Sequence, residues 1–196
     1  MARDILVFYG SYRRDRQGIK LARWIVDTLS ARGDAAELID AKAIDLPMLD
    51  RRFSDYRDGE APPAMANLAA RIAAADGFVF VTGEYNGGLQ PGLKNLTDHF
   101  LEQYHWRPAA IASYSAGPFA GIKAATAWRG TLAVLGMVVT STSLSLARIG
   151  GAFDAEGRPA GEDGARLEKA FPRFADDLEW WIDAAAAQRA RQAPPF

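Results

Sequence analysis

The chain opens with an apolar run, Ile5 to Tyr9, of the length of a short buried strand. Ile19, Ala22, Ile25, Val26 and Leu29 then recur at helical spacing until Arg32-Gly33 ends the pattern. Positions 35–39 predict a second, weaker strand. Residues 41–62 keep no period and carry Pro47, Gly59 and Pro62, which predicts a long irregular arm ahead of a helix over 64–75. Gly77-Phe78-Val79-Phe80-Val81 is an unbroken apolar run of the kind a parallel sheet buries on both faces. A turn-rich stretch over 83–91 leads to a helix through about Gln103. Another apolar run, 109–112, a small-residue loop, 113–121, a helix to about Leu135 and a strand over 138–144 continue the alternation. A turn falls at 154–157, and the tail to Gln188 reads as a helix with Leu167, Phe171, Phe174, Leu178 and Ile182 on one side and a bend at Pro172.

Strands alternating with helices require parallel crossovers, which predicts a doubly wound α/β chain, a three-layer sandwich around a five-stranded parallel sheet. Right-handed crossovers make the flavodoxin-like order 2-1-3-4-5 the leading topology. No repeat or low-complexity linker divides the chain, so residues 1–196 read as a single domain. The loops after the first, third and fourth strands then meet at one edge of the sheet, and they are the loops richest in Gly, Ser, Asn and Tyr.

Composition narrows the chemistry. A net charge of −1 provides no global field for nucleic acid or an anionic membrane. Cysteine is absent, which removes disulfides, thiolate nucleophiles and sulfur-ligated metals. The only histidines, His99 and His105, are six apart instead of the four of a helical zinc pair, so no metal site is expected. No apolar run approaches a membrane span and no secretory pattern opens the chain, so a cytoplasmic location is the expectation.

The first loop carries Gly10, Ser11, Arg13, Arg14, Arg16 and Gln17 between a strand end and a helix start. Exposed backbone N–H groups, a helix N-terminus and guanidinium forks favour a phosphate dianion there. Neither Gly-x-Gly-x-x-Gly nor Gly-Lys-Ser/Thr occurs in this loop, so a terminal phosphate monoester, as in a flavin mononucleotide, suits it better than a bridging pyrophosphate. In the second loop, Thr82-Gly83-Glu84-Tyr85-Asn86-Gly87-Gly88, backbone groups and Asn86 suit the edge of a heterocycle and Tyr85 its plane; Asn-Gly-Gly reads equally well as a tight turn. The third loop, with Ser113, Ser115, Ala116 and Gly117, is small enough to lie against a flat ring, or it is an ordinary strand-to-helix connection.

Gly10-Ser11-Tyr12-Arg13-x-x-Arg16-x-Gly18 with Lys20, Ala22, Arg23 and Trp24, and Glu84-Tyr85-Asn86-Gly87-Gly88 leading to Leu93-Lys94-Asn95-x-x-Asp98, resemble the NAD(P)H-dependent FMN reductases of flavodoxin-like fold, which include quinone, azo-dye and chromate reductases. Asp45-Leu46-Pro47-x-Leu49-Asp50 is a looser match, and residues 113–121 match in character. The resemblance covers residues 4–145. It implies FMN phosphate on Ser11, Arg13, Arg16 and Gln17, with the isoalloxazine against Glu84, Tyr85, Asn86 and Gly87 and against Ser113, Ser115, Ala116 and Gly117. The sequence departs from the family pattern at two places, both expected to loosen the ring-side loop. Gly83 stands where the family usually has proline, and the next family proline is displaced by one, with Gln90 preceding Pro91.

The expected activity is hydride transfer from NADH or NADPH to flavin N5, followed by reduction of a quinone, azo, nitro or free-flavin acceptor in ping-pong fashion, with no indispensable side-chain acid or base. A flavodoxin-type electron carrier is the alternative, disfavoured because such carriers usually present an acidic docking face; a non-enzymatic phosphate-binding module is another. Lys94 and Asp98 read as a surface ion pair. Trp180 and Trp181 read as packing residues, one facing the core, and Tyr104, His105 and Trp106 as packing too. Leu46, Met48, Leu49, Phe53 and Phe153 are apolar residues in loops, from which a homodimer or homotetramer is expected.

Overall fold

The computed structural model of the protein describes residues 2–195. The apolar runs become five strands: β1 (Asp4–Tyr9), β2 (Ala35–Asp40), β3 (Gly77–Gly83), β4 (Pro108–Tyr114) and β5 (Val138–Leu146). All pair in parallel, in the order β2-β1-β3-β4-β5, which is the predicted flavodoxin-like sheet. β3 and β4 are buried along their whole length, while β2 at the edge is only partly covered. That contrast matches their sequences: continuous apolar residues in the middle, alternation at the rim.

The helices are α1 (Gly18–Ala31), α2 (Ala41–Ile44), α3 (Pro63–Ala74), α4 (Pro91–Asp98), α5 (Ile122–Val134) and α6 (Gly161–Arg191). The period of two along β1 sorts its side chains between two cores. Ile5 and Val7 pack with Leu21 and Ile25 of α1 and Phe174 and Leu178 of α6. Leu6 and Phe8 pack on the other face with Leu68 and Ile72 of α3 and with Trp128 and Leu132 of α5. Among the described residues no helix is long and apolar enough to cross a membrane.

Several sequence expectations change. The helix expected to reach Gln103 stops at Asp98, because Phe53 N–H from the arm takes the His99 carbonyl (2.8 Å) and Leu101 leaves helical backbone before a single turn at Glu102–Tyr104. The arm over 41–62 is more ordered than its lack of period implies. Asp40 caps α2 by accepting from Lys42 N–H (3.1 Å), and Asn95 of α4 accepts from Leu49 N–H (2.8 Å) and donates to the Pro47 carbonyl (2.9 Å). Of the five apolar residues behind the oligomer expectation, Leu46 and Phe153 are buried within the chain, Leu49 and Phe53 are partly buried, and Met48 alone is exposed. α6 runs unbroken past Pro172. Neither tandem tryptophan enters the core: Trp180 is 63% and Trp181 37% exposed. Tyr104 is buried, as packing predicts, and Lys94 and Asp98 form the expected ion pair.

α5 is fixed to the carboxyl end of β3 by one buried hydrogen bond. Trp128 Nε1 donates to Thr82 Oγ1 at 2.9 Å, and both residues are fully buried. Thr82→Val keeps the shape and orphans the indole N–H, so urea denaturation should show a loss of about 1–3 kcal/mol, with Thr82→Ser close to wild type.

Candidate functional site

The loops after β1, β3 and β4 meet at the carboxyl edge of the sheet, where a doubly wound fold places its ligands. The first loop is seated by backbone contact. A Cβ on Gly10 would stand 2.1 Å from the Leu93 backbone nitrogen, and one on Gly92 would stand 2.4 Å from the Gly10 carbonyl. Side chains at either position would push the loop off α4. Tyr12 Oη donates to the Ala41 carbonyl (2.7 Å), tying the same loop to α2.

The loop arginines have different roles. Arg16 forks onto Asp40 at the end of β2, with Nη1 to Oδ1 at 2.8 Å and Nη2 to Oδ2 at 2.7 Å, and also donates to the Ser11 carbonyl (3.3 Å). The Asp40 hydrogen bonds raise the Arg16 pKa against the opposing effect of burial. In this arrangement Arg16 braces the loop, and its charge is neutralised. Arg13 makes no ion pair among the described residues and lines the cleft. Gln17 Nε2 is turned onto Asp15 Oδ1 (2.6 Å). α1 begins with no side-chain cap and no acidic residue in its first turn, so the positive end of its dipole is left to whatever enters the cleft.

The second and third loops are stitched together. Glu84 N–H donates to the Tyr114 carbonyl (3.2 Å), and Glu84 Oε2 accepts from Lys123 N–H (3.1 Å) in the first turn of α5. Tyr85 and Gly88 exchange both backbone hydrogen bonds around Asn86 and Gly87, which have φ of 50° and 79°. This is the tight turn that Asn-Gly allows. Asn86 and Gly87 therefore sit at an exposed tip. In the third loop Ser115 Oγ donates to the Gly117 carbonyl (2.9 Å), and Gly117 also accepts from Arg148 N–H (3.1 Å). Ser113 is buried within β4, its hydroxyl donating to the Ala120 carbonyl (2.7 Å), so it braces the loop from beneath.

Between the loops lies a cleft of about 220 Å³. Eight of the twelve residues singled out from sequence line it: Ser11, Arg13, Arg16 and Gln17 from the first loop, Glu84 and Tyr85 from the second, Ser115 and Ala116 from the third. Asn86, Gly87, Ser113 and Gly117 lie outside that lining. The Ser11 and Tyr85 hydroxyls are 3.2 Å apart across it. Sequence reasoning missed Asp15, Tyr114 and Ile149 in the lining, and Asp40 as the partner of Arg16. Tyr114 was legible as the next inward position after Ala110 and Ala112; the partner of Arg16, 24 residues away, had no local signal. A roomier apolar groove of about 380 Å³ beside Trp106, Val138 and Trp181 lies at the opposite end of β4 and β5, away from these loops. No metal-binding cluster of His, Cys, Asp and Glu occurs among the described residues.

A family model described as NADPH-dependent FMN reductase matches residues 3–150. The chain belongs to the NADPH-dependent FMN reductase family. Among its relatives in that family, an NAD(P)H-dependent FMN reductase of Schizosaccharomyces pombe is 33% identical over 56% of this chain and 56% of that protein. The chain thus spans little more than half the length of that relative, and 58% of a similarly named Nectria protein. A 2-hydroxy-1,4-benzoquinone reductase of Burkholderia is 28% identical over 93% of this chain and 97% of its own length. The solved flavoenzyme NAD(P)H:(acceptor) oxidoreductase FerB of Paracoccus denitrificans superposes with a TM-score of 0.71 at 25% identity, covering 91% of this chain and 98% of that one.

In this member of the FMN reductase family, Glu84 caps α5 from another element. Glu84→Ala should cost about 1 kcal/mol in urea denaturation, the value of a lost helix cap, and Glu84→Gln should recover most of it. Equal stability of all three proteins would show that the cap carries no weight.

Proposed function

We propose that the protein is an FMN-dependent NAD(P)H oxidoreductase whose cofactor lies in the cleft at the carboxyl ends of β1, β3 and β4. The single observation that carries this reading is the convergence there of Ser11, unpaired Arg13 and an uncapped α1 with the Glu84–Tyr85 and Ser115–Ala116 segments. An anion is favoured at one end, by the helix dipole and the guanidinium. Gly83, Ser115 and Ala116 line the other beside Tyr85, Tyr114 and Ile149, small residues and apolar faces that suit a flat ring. Family membership supports the same cofactor.

The residues fit a phosphate monoester. The positive end of α1, where the Ile19 and Lys20 N–H groups are already held by the Arg16 and Gln17 carbonyls, attracts an anion through its dipole, Arg13 offers a fork, and the Ser11 hydroxyl stands 3.2 Å from Tyr85 Oη at the edge of the cleft. Arg16 holds the loop in register through Asp40, a positioning role. Bound FMN would supply the redox chemistry, taking a hydride from NADH or NADPH and reducing a small-molecule acceptor such as a quinone, azo or nitro compound or free flavin in alternating half-reactions. The protein's contribution is to bind, orient and shield. No side chain in the cleft is placed as an indispensable acid or base.

Purified protein titrated with FMN should show perturbed visible absorption and should then be bleached anaerobically by NADH or NADPH. Arg13→Ala should raise the FMN Kd about ten-fold or more, the worth of a charged hydrogen bond, with little change in stability. Arg16→Ala should instead lower stability, because it unties the loop from β2. An Arg13→Ala protein with unchanged FMN affinity would refute the site.

A further inference from the structure

Beneath the cleft lies a set of buried polar side chains that the binding reading leaves unused. Tyr9 ends β1 and Tyr114 ends β4, two strands apart in the sheet, yet their rings converge to 6.5 Å between centroids. Tyr114 fits there because two positions around it are glycine. A Cβ on Gly18 would stand 2.4 Å from Tyr114 Oη, and one on Gly83 would stand 2.9 Å from it. The Tyr114 hydroxyl is thus held against the first residue of α1, at the positive end of that helix.

Its orientation is set by Gln90, which is buried and donates from Nε2 to Tyr114 Oη at 3.1 Å. Because the amide supplies that hydrogen, the phenol's own proton is left to point elsewhere. Tyr9 is fully buried, and its Oη has no hydrogen-bond partner; nor does Gln90 Oε1. The polar neighbours of Tyr9 Oη are the Tyr114 and Ser11 side chains, and the Arg16 guanidinium lies 5.6 Å from its ring centre. Those three neighbours all line the cleft. A buried hydroxyl left unpaired costs stability that phenylalanine would not; Tyr104 Oη is unpaired as well, but in the core on the other face of the sheet, whereas Tyr9 lies directly beneath side chains that line the cleft. Burial pushes both phenols above the ordinary tyrosine pKa, so each stays protonated and able to donate.

We propose that Tyr9 and Tyr114, oriented by Gln90, form an uncharged donor set that receives the anionic end of the ligand from below, opposite Arg13. This rests on the FMN reading and deepens it by assigning the phosphate two phenol donors. Neutral donors suit the place. Arg16 is already spent on Asp40 and Asp15 adds a negative charge, so the loop by itself offers less cationic charge than its sequence suggests.

The test compares FMN with riboflavin, which lacks the phosphate, by fluorescence titration of the full chain freed of co-purified flavin. Tyr114→Phe should raise the FMN Kd about ten-fold and change the riboflavin Kd less than about two-fold. Tyr9→Phe should weaken FMN with the same selectivity while leaving the flavin-free Tm unchanged or higher, since its hydroxyl has no partner to lose. Gln90→Leu should give a smaller loss, again confined to FMN. Equal weakening of both flavins, or no change in either, overturns the proposal and reduces the phenols to packing. If Tyr114→Phe does not fold, Tyr9→Phe decides alone. Wild-type protein that binds neither flavin refutes the FMN reading itself and this inference with it, whereas wild-type FMN binding undisturbed in the variants refutes the inference only.

Discussion

Backbone packed on backbone, where the first loop meets the start of α4, is the constraint on which the site depends. Gly10 and Gly92 face each other at a separation that excludes a side chain on either. The loop is therefore located by the sheet and by α4 together, and Tyr12 and Arg16 then tie it to α2 and β2. A loop fixed from three sides holds its N–H groups in place before any ligand arrives. Preorganisation of this kind lowers the cost of binding.

Charge is distributed more sparingly than the Arg-rich sequence suggests. Arg16 and Asp40 cancel, and Asp15 with Gln17 occupies the exposed side of the loop. In the cleft lining, what remains for an anion is the Arg13 guanidinium, the end of a helix dipole and hydroxyl groups. That balance accords with the proposed binding of a small anionic molecule by a chain of net charge −1, through local contacts instead of long-range attraction.

The sheet was legible because its central strands are continuous apolar runs, and their order follows from handedness once the alternation with helices is seen. The meeting of the three loops was legible for the same reason. What could not be read depends on partners distant in sequence. Arg16 carries the same forked group whether it faces a phosphate or Asp40, and only the placement of β2 decides. Ser113 reads in sequence as part of the loop that follows it, but strand pairing to Thr82 and Ser145 keeps it inside the sheet. Periodicity alone overruns the helix end at Asp98, because the residue that captures the His99 carbonyl, Phe53, belongs to an arm with no period of its own.

The two departures from the family pattern become one feature in three dimensions. Gly83 and Gln90 flank the second loop, in which Tyr85 and Gly88 pair with each other and Glu84 ties the chain to β4 and α5. Both residues touch Tyr114. A proline at 83 would bring a Cβ to within 2.9 Å of the phenol oxygen, and a proline at 90 would have no amide to donate to it. Glycine at 83 and glutamine at 90 therefore give the phenol its space and its orienting donor. Since Gly18 contributes to the same socket from α1, the hydroxyl is held where the first loop, the second loop and β4 come closest.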